Sequence, residues 1–331
     1  MTLTLSLLDQ SPIGRPYSAA DALAQTIDLA QAAEGLGYHR YWLAEHHHSP
    51  GFAGSAPEIL AALVLERTTR IRVGSGGVLL PRYRAEKVAE VFGVLAAVHP
   101  GRVDLGVGRA GGPPQDFPRK FSELRALLHD HQAGPGTPCL PDLWLLGASA
   151  GSAALAAEMG TGFAFGHFLR PEPSVRAVDA YLRGHVPTVI SPAPKAAVAV
   201  RVVVAKTAER AEALTDSLLL WRSRKDHGHD APFPTPQDTA SHRWSSLESA
   251  ARAAHRHGLF VGTPDHVAAD LRIFADKHHV EELIINTPLA CPADRLRSYE
   301  LLARQVTGVD ASPSCSFSST RAGLTGQGMA N

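Results

Sequence analysis

The stretch IRVGSGGVLLPRYRAEKVAEVFGVLAAVHPGRVDLGV, residues 71–107, decides the fold class. It begins with a strand-like run at 71–76, continues with apolar residues at helical spacing over 85–98, and ends in a second strand-like run at 103–107. Strand, helix and strand in this order are typical of a βαβ unit, in which a crossover helix joins two parallel strands. The stretch therefore predicts a parallel sheet covered by helices.

The same alternation continues along the chain as far as residue 306. Eight strands are predicted, at 3–8, 40–44, 71–76, 103–107, 143–147, 162–166, 197–205 and 282–286. Eight parallel strands with eight helices close as a (β/α)8 TIM barrel, an α/β fold whose functional residues lie at the carboxyl ends of the strands. A doubly wound open sheet is the competing architecture, because periodicity alone does not distinguish the two. We predict one barrel domain over residues 1–310.

Two segments differ from the barrel pattern. Residues 223–245 combine proline, histidine and charge without periodicity, which predicts a long mobile loop after the seventh strand and helix, either a lid or a plain surface excursion. Residues 311–331 are mostly serine, glycine and small residues. Such a composition buries too little apolar surface to order itself, so we expect a disordered tail.

The composition narrows the class of partner. The 32 Lys and Arg residues balance 32 Asp and Glu residues, so no basic surface indicates nucleic acid or an anionic membrane, and a small neutral or apolar ligand is the default substrate. The amino-terminal residues lack a signal-peptide pattern, and the least charged segment, 143–169, is interrupted by Gly, Ser and Glu158. The three cysteines show no CxxC spacing, which is typical of a reducing compartment. We therefore expect a cytoplasmic protein without a membrane partner.

The helix predicted at 85–98 is apolar over more than one stripe. A helix that packs on a barrel needs a single apolar face, so the surplus surface needs a partner or is extra core. We predict a homodimer in which this helix and its neighbour at 57–67 are buried.

The fourth strand end, GVGRAG at 106–111, reads literally as a GxGxxG dinucleotide fingerprint. Pro113 and Pro114 follow it, however, and they cannot continue the helix whose amino terminus would meet a pyrophosphate. What remains is Arg109 on a glycine-lined loop, either a surface arginine or a ligand for an anion.

The fifth strand end, GASAGS at 147–152, leads small residues directly into a helix. The first amides of that helix, with the hydroxyls between Ser149 and Ser152, would attract an anion. Because neighbouring strand ends lie together in a barrel, Arg109 and Ser149 are predicted to hold one phosphate. A purely structural helix cap at Ser149 is the alternative.

Three consecutive histidines follow the second strand. On an extended chain His46 and His48 would point the same way, so a metal pair is geometrically possible, with His167 as a third ligand. This alternative predicts a metal-dependent barrel hydrolase. It also needs a carboxylate at the last strand, where Asn286 stands.

Five motifs in this order resemble the bacterial-luciferase-like flavin-dependent monooxygenases. They are WLAEHHH (42–48), VGSGGVLLP (73–81), LGVGRAGG (105–112), GASAGSA (147–153) and FVGTPDHVA (260–268). The resemblance covers residues 1–306 and implies an enzyme that receives FMN already reduced, as FMNH2, from a separate flavin reductase. With O2, a C4a-peroxyflavin would then hydroxylate or epoxidise a small substrate. An oxidoreductase that uses the deazaflavin F420 on the same fold is the runner-up.

The resemblance also assigns catalytic and flavin-facing residues. His46 takes the place of the catalytic histidine beside the flavin, and Glu45 would hold the strand end in place. Ser75, Gly76 and Gly77 correspond to the strand end that faces the flavin, where a non-prolyl cis peptide is common in the family. We predict that bond between Gly76 and Gly77.

By the same resemblance the flavin phosphate would be bound by residues at the fourth and fifth strand ends. They are Arg109, Ala110, Gly111, Ser149 and Ser152. Ala148 stands where luciferase has a glutamate, so that part of the flavin contact is missing here. The connection at 108–142 is short for the family, which would leave the substrate side open to a bulky or polycyclic secondary metabolite.

Overall fold

The structure is a computed structural model that describes residues 3–109, 115–130, 140–188 and 191–308. The described residues form nine strands: β1 (Thr4–Asp9), β2 (Arg40–Leu43), β3 (Arg72–Leu79), β4 (Val103–Gly108), β5 (Asp142–Gly147), β6 (Gly162–Gly166), β7 (Ala196–Val204), β8 (Leu259–Gly262) and β9 (Glu282–Asn286). The helices are α1 (Ala19–Gly35), α2 (Pro57–Arg67), α3 (Ala85–Val98), α4 (Phe117–Asp130), α5 (Ala150–Met159), α6 (Ser174–Gly184), α7 (Ala208–Asp226), α8 (Pro236–Ala240), α9 (Ser246–Arg256), α10 (Pro264–His278) and α11 (Pro292–Thr307). The tail predicted for 311–331 lies outside the described residues.

Eight of the strands close into a parallel barrel. They pair in the order β1, β2, β3, β4, β5, β6, β7 and β9, and β9 returns to β1. The predicted TIM barrel is therefore confirmed, and the open doubly wound sheet is excluded by this closure. All eight predicted strands are present, within three residues at each end.

The ninth strand, β8, does not belong to the barrel and was not predicted. It pairs with the carboxyl half of β7, from Arg201 to Val204, whereas β6 pairs with β7 only as far as Ala199. A strand of four residues is too short to show an alternating pattern, so the sequence gives no signal for it.

Apolar side chains fill two layers. Inside the barrel, Trp42 and Trp144 meet edge to face with ring centroids 5.3 Å apart, among small residues such as Ala164 and Ala197. Between barrel and helices lies a larger cluster from every barrel strand and most helices. The small inward alanines leave room for the two tryptophans.

Charged side chains close the amino-terminal end of the barrel. The buried carboxylate of Asp104 accepts hydrogen bonds from Arg40 (2.9 Å), from the indole of Trp42 (2.9 Å) and from Arg72 Nε (3.0 Å). Burial alone would raise the pKa of Asp104, but the two arginines lower it below its usual value. Arg40 also pairs with Glu282 at the start of β9, so the network spans β2, β3, β4 and β9.

Residues 223–245 follow the seventh barrel strand and helix as predicted, but they are not a featureless loop. They contain the end of α7 and all of α8. The backbone of Phe233 bonds to Ile13 and Arg15, and its ring is 1% exposed and stacked on Trp221. The segment has no periodic pattern because contacts with the residues after β1, and not a regular element of its own, hold it in place. The sequence therefore does not reveal this order.

Helices α2 and α3 have the predicted bounds, and they carry four of the nine exposed large apolar side chains of the described residues. These are Ile59, Leu63, Val94 and Val98. In the part of the chain that the structure describes, no helix is both long and apolar enough to span a membrane.

Candidate functional site

A cavity of about 930 Å³ opens at the carboxyl ends of the barrel strands. All eight barrel strands or the loops after them contribute to its wall. This is the end at which TIM barrels carry their functional residues.

One side of the cavity has the features of an anion site. Arg109 follows β4, is exposed and lines the cavity beside Ser149, Gly151 and Ser152 from the start of α5. The Ser149 hydroxyl accepts a hydrogen bond from the Ser152 amide (3.2 Å), and the Ser152 hydroxyl accepts one from the Ser149 amide (3.2 Å). Ser149 is therefore a helix cap, as the structural alternative predicts.

The cap is compatible with an anion site. The first amides of a helix have no partner within the helix, and Ser149 satisfies only that of Ser152, which leaves the amides of Ala150 and Gly151 at the positive end of the helix dipole. Arg109, Ser149 and Ser152 thus line the same cavity. Ala110 and Gly111, predicted for the same site, lie outside the described residues.

Glycines shape the wall at the ends of β3 and β5. The Gly76–Gly77 peptide is cis, as predicted, and both residues line the cavity. A Cβ on Gly76 would lie 2.7 Å from Leu8 Cδ1, and one on Gly147 would lie 2.2 Å from the Ser152 hydroxyl. Side chains are therefore excluded at these positions, and the backbone itself forms the cavity surface.

Two other predicted residues occupy different positions. Ser75 is fully buried and its hydroxyl donates to the carbonyl of Gly106 (2.8 Å), so it joins β3 to β4 and does not line the cavity. Ala148 is half-buried on the cavity wall between Gly147 and Ser149. It offers a methyl group where a glutamate would offer a carboxylate.

His46 lies on the cavity wall at the end of β2. Its ring stacks on Phe52 at 4.2 Å between centroids, and its Nε2 lies 3.4 Å from Nε2 of Gln10. The other ring nitrogen, Nδ1, is buried and has no hydrogen-bond partner among the described residues. Polar atoms are seldom buried without a partner, so one hydrogen-bonding group of this ring is left unsatisfied by the described residues.

The environment of His46 keeps its imidazole neutral. Burial, as the largest cause, and the nearby Lys225 ammonium together lower the pKa of His46 to about 4, although Asp230 acts in the opposite direction. At neutral pH the ring therefore carries one proton and one free lone pair, which allows it to accept a proton or donate one.

Glu45 fixes the strand ends next to His46. Its buried carboxylate accepts hydrogen bonds from the Leu79 amide (2.8 Å) and the Tyr83 hydroxyl (2.8 Å), and it also contacts His47. Burial and the bond to Glu45 raise the pKa of Tyr83 to about 12. Glu45 thus ties the end of β2 to the turn after β3, and its oxygens are engaged by the protein.

The three histidines proposed as metal ligands are not assembled. His48 has a left-handed backbone (φ 52°), so His46 and His48 do not follow one extended chain. His167 does not line the main cavity and packs against Phe274, with ring centroids 4.8 Å apart. Among the described residues no group of three His, Cys, Asp or Glu side chains could hold a metal ion, so the structure gives the hydrolase alternative no support.

The structure also shows polar residues at the cavity end that the motifs do not indicate. Gln10 contacts His46, and Arg201 lies at the carboxyl half of β7 with its Nε bonded to Asn286 Oδ1 (3.2 Å). A sequence signal for one of them exists, because Arg201 is the only charged residue in the apolar run AVAVRVVVA. Such a residue in a buried strand needs a special partner or a function.

Known proteins resemble this chain over most of its length. Residues 1–132 and 116–277 match the family described as luciferase-like monooxygenase. The uncharacterized protein YwcH of Bacillus subtilis (strain 168) is 41% identical over 91% of this chain and 98% of its own length. The N-acetyl-S-alkylcysteine monooxygenase of the same organism is 34% identical over 92% of this chain and 98% of its own.

Solved structures share the fold. The crystal structure of apo-MsnO8 superposes with a TM-score of 0.82 at 35% identity, covering 92% of this chain and 98% of the other. The FMN-bound oxygenating constituent of 3,6-diketocamphane monooxygenase gives 0.66 at 19% identity, covering 93% and 99%. An F420-dependent secondary alcohol dehydrogenase gives 0.68 at 13% identity, covering 92% and 99%, and these two likenesses show the fold alone.

The barrel fold and the order of the sequence motifs are those expected from these relatives. The chain belongs to the luciferase-like monooxygenase family.

Proposed function

We propose that the protein is a monooxygenase that uses FMNH2 and O2 to hydroxylate or epoxidise a small organic substrate. One observation carries the proposal: a single cavity joins an anion site, at Arg109 and the start of α5, to the neutral imidazole of His46. A cofactor whose phosphate is bound at the anion site would extend across the mouth of the barrel to His46.

The residues present fit an FMN molecule. Arg109 supplies a full positive charge for the phosphate, and the amides of Ala150 and Gly151 supply donors. The wall at Gly76, Gly77 and Gly147 has no side chains, so a flat ring system can lie against the backbone. Reduced FMN, when bound, supplies the electrons that activate O2.

The protein's own groups then act in two ways. Neutral His46, which lines the cavity, would hold or move a proton at its reacting end. Apolar side chains such as Leu146, Leu155 and Phe168 exclude water from the rest of the wall. Glu45 positions the loop that carries His46, because its carboxylate binds the neighbouring strand end.

The partners and the substrate class belong to this proposal as well. Delivery of FMNH2 by a separate flavin reductase is part of this proposal because the family resemblance implies it. A cavity of about 930 Å³ has room for a flavin ring together with a bulky substrate, in keeping with a secondary metabolite.

An F420-dependent oxidoreductase is the second candidate, because an enzyme of that kind shares the fold. Both cofactors carry a phosphate and a tricyclic ring, so the anion site does not separate them. The reaction with oxygen does, because hydride transfer from F420 requires none.

The experiment measures reoxidation of bound reduced FMN and compares the binding of FMN with that of F420. The protein is loaded anaerobically with photoreduced FMN and mixed with aerated buffer in a stopped-flow instrument. We expect oxidised flavin to return more slowly than from free FMNH2, and one hydrogen peroxide per flavin to be released at the same slower rate, because the cavity shields the reduced flavin. Reoxidation at the rate of free FMNH2, together with tight binding of F420 and weak binding of FMN, would refute the monooxygenase proposal.

A further inference from the structure

Arg201 is a buried cation without a counter-ion. Arg201 is 8% exposed, and among the described residues its one hydrogen bond joins Nε to Asn286 Oδ1 at 3.2 Å. Among the described residues no carboxylate lies within ion-pair distance of the guanidinium, whereas buried Arg40 and Arg295 each pair with an aspartate. Burial is costly for an unpaired charge, so a group of this kind usually has a partner that the protein alone does not supply.

The guanidinium is held in a fixed position. Asn286 is 1% exposed and its amide nitrogen donates to the Leu8 carbonyl (3.0 Å), which orients its oxygen toward Arg201. The Phe168 ring centroid lies 5.0 Å from Arg201 Cζ and covers one side of the group. With Nε engaged, the two terminal nitrogens remain as a fork that matches a carboxylate.

The fork faces open space. Its terminal nitrogens have no partner among the described residues, yet unlike His46 Nδ1 they are not sealed from solvent. A cavity of about 150 Å³ adjoins Arg201, and Phe168 and Leu169 line both this cavity and the main one. Glu172 lines the small cavity too, but it is largely exposed and pairs with His257.

Arg201 is also set apart from the predicted phosphate site. That site lies at the ends of β4 and β5, whereas Arg201 lies on β7, which is separated from β5 by β6. Arg201 is two residues beyond Ala199, which lines the main cavity, so both side chains point to the same face of the strand. Burial lowers the pKa of Arg201 to about 10, with Arg222 as a second cause, so the group is still charged at neutral pH.

We propose that Arg201, braced by Asn286 and covered by Phe168, binds a carboxylate of the substrate, which makes the substrate an organic acid with an apolar body. This inference rests on the proposed function for the identity of the reaction but not for the anion site. It replaces the neutral ligand that the balanced composition suggests.

The test measures binding of two matched probes, hexanoate and hexanamide, to the protein loaded with oxidised FMN, by isothermal titration calorimetry. No turnover takes place, so the result does not depend on oxygen chemistry. We expect hexanoate to bind roughly 10- to 100-fold more tightly than hexanamide, as a charge-assisted contact implies. Equal binding of the two probes would overturn the proposal.

Variants assign the preference to one side chain. Arg201→Met should remove the preference for hexanoate and leave hexanamide binding within about twofold. Arg222→Met is the matched control, because Arg222 lines the same small cavity but pairs with Asp226 (3.0 Å), and it should keep the preference. A preference that survives in Arg201→Met, or that is lost in Arg222→Met alone, would contradict the assignment.

Three further outcomes separate the inference from folding and from the cofactor. If Arg201→Met does not fold, Arg201→Lys decides: it keeps the charge without the fork, so part of the preference should remain, and an undiminished preference would contradict the bidentate contact. FMN binding should be unchanged in Arg201→Met, and a large loss of FMN affinity with hexanoate binding intact would reassign Arg201 to the cofactor. If the protein fails to bind FMN but still prefers hexanoate to hexanamide, the proposed function is refuted and the carboxylate site is supported.

Discussion

Replacement of Arg109 by alanine tests the phosphate site most directly. The side chain follows β4, is exposed and lines the cavity next to the first turn of α5. A charge-assisted hydrogen bond contributes about 1.5 to 3 kcal/mol, which corresponds to roughly a 10- to 150-fold change in the dissociation constant. Because Arg109 is exposed and screened by salt, we expect a loss of FMN affinity near the lower end of that range.

The assay uses two ligands that differ only in the phosphate. Quenching of flavin fluorescence is titrated with FMN and with riboflavin for the wild type, for Arg109→Ala and for Arg82→Ala. Arg82 is a matched control because it is also an exposed arginine on the cavity wall, but it follows β3 and not β4. Arg109→Ala should weaken the binding of FMN and leave the binding of riboflavin unchanged. Arg82→Ala should weaken the binding of neither ligand.

Two results would refute the reasoning. FMN affinity that is unchanged in Arg109→Ala would remove the residue from the site. A loss that is equal for FMN and riboflavin would mean that Arg109 acts on the ring or on the shape of the cavity and not on the phosphate.

Three other predictions concern pH, packing and assembly. The pKa of His46 is about 4 in the folded chain against an ordinary 6.5, so the unfolded chain binds the proton first and up to about 3 kcal/mol of stability, present above pH 6.5, is lost as the pH falls to 4. Urea unfolding at pH 7 and at pH 4 gives the loss of unfolding free energy between the two pH values, and this loss should be smaller in His46→Gln than in the wild type. Equal losses would contradict a neutral buried imidazole. Phe233→Ala should cost about 3 to 5 kcal/mol of unfolding free energy, because the ring is 1% exposed, and a cost below about 1 kcal/mol would show that residues 223–245 are loosely attached. We propose a homodimer through α2 and α3: Val94→Glu should yield monomers by light scattering and Val186→Glu, equally apolar but on another face, should not, while a monomeric wild type would exclude the dimer.

The barrel follows from the sequence because its signal is repeated. Each βαβ unit carries the same information, and α2 and α3 begin and end at the predicted residues. The structure differs from the prediction where local pattern does not determine the fold. β8 is ordered by pairing with β7, and Phe233 is ordered by contact with Ile13, more than two hundred residues earlier in the chain.

The candidate site is predictable where it is built from strand ends. Adjacent strands in a barrel bring their ends together, so it follows from chain order that Arg109 and Ser149 line one cavity. Gln10, Arg201 and Asn286 are not predictable in this way, because each is a single polar residue whose neighbours depend on side-chain direction. Ser75 shows the opposite case: its hydroxyl turns to the backbone of β4, a detail that its motif does not carry.

The ionic network around Asp104 has a consequence for engineering. It fastens four strands at the end of the barrel opposite the cavity, and its central carboxylate is wholly buried. Directed evolution can therefore randomise the segments at the cavity end, such as 45–56 and 166–172, while the ionic network at the opposite end keeps the barrel closed. Libraries for new chemistry belong at the cavity end, and Arg40, Arg72 and Glu282 belong on the list of positions to leave untouched.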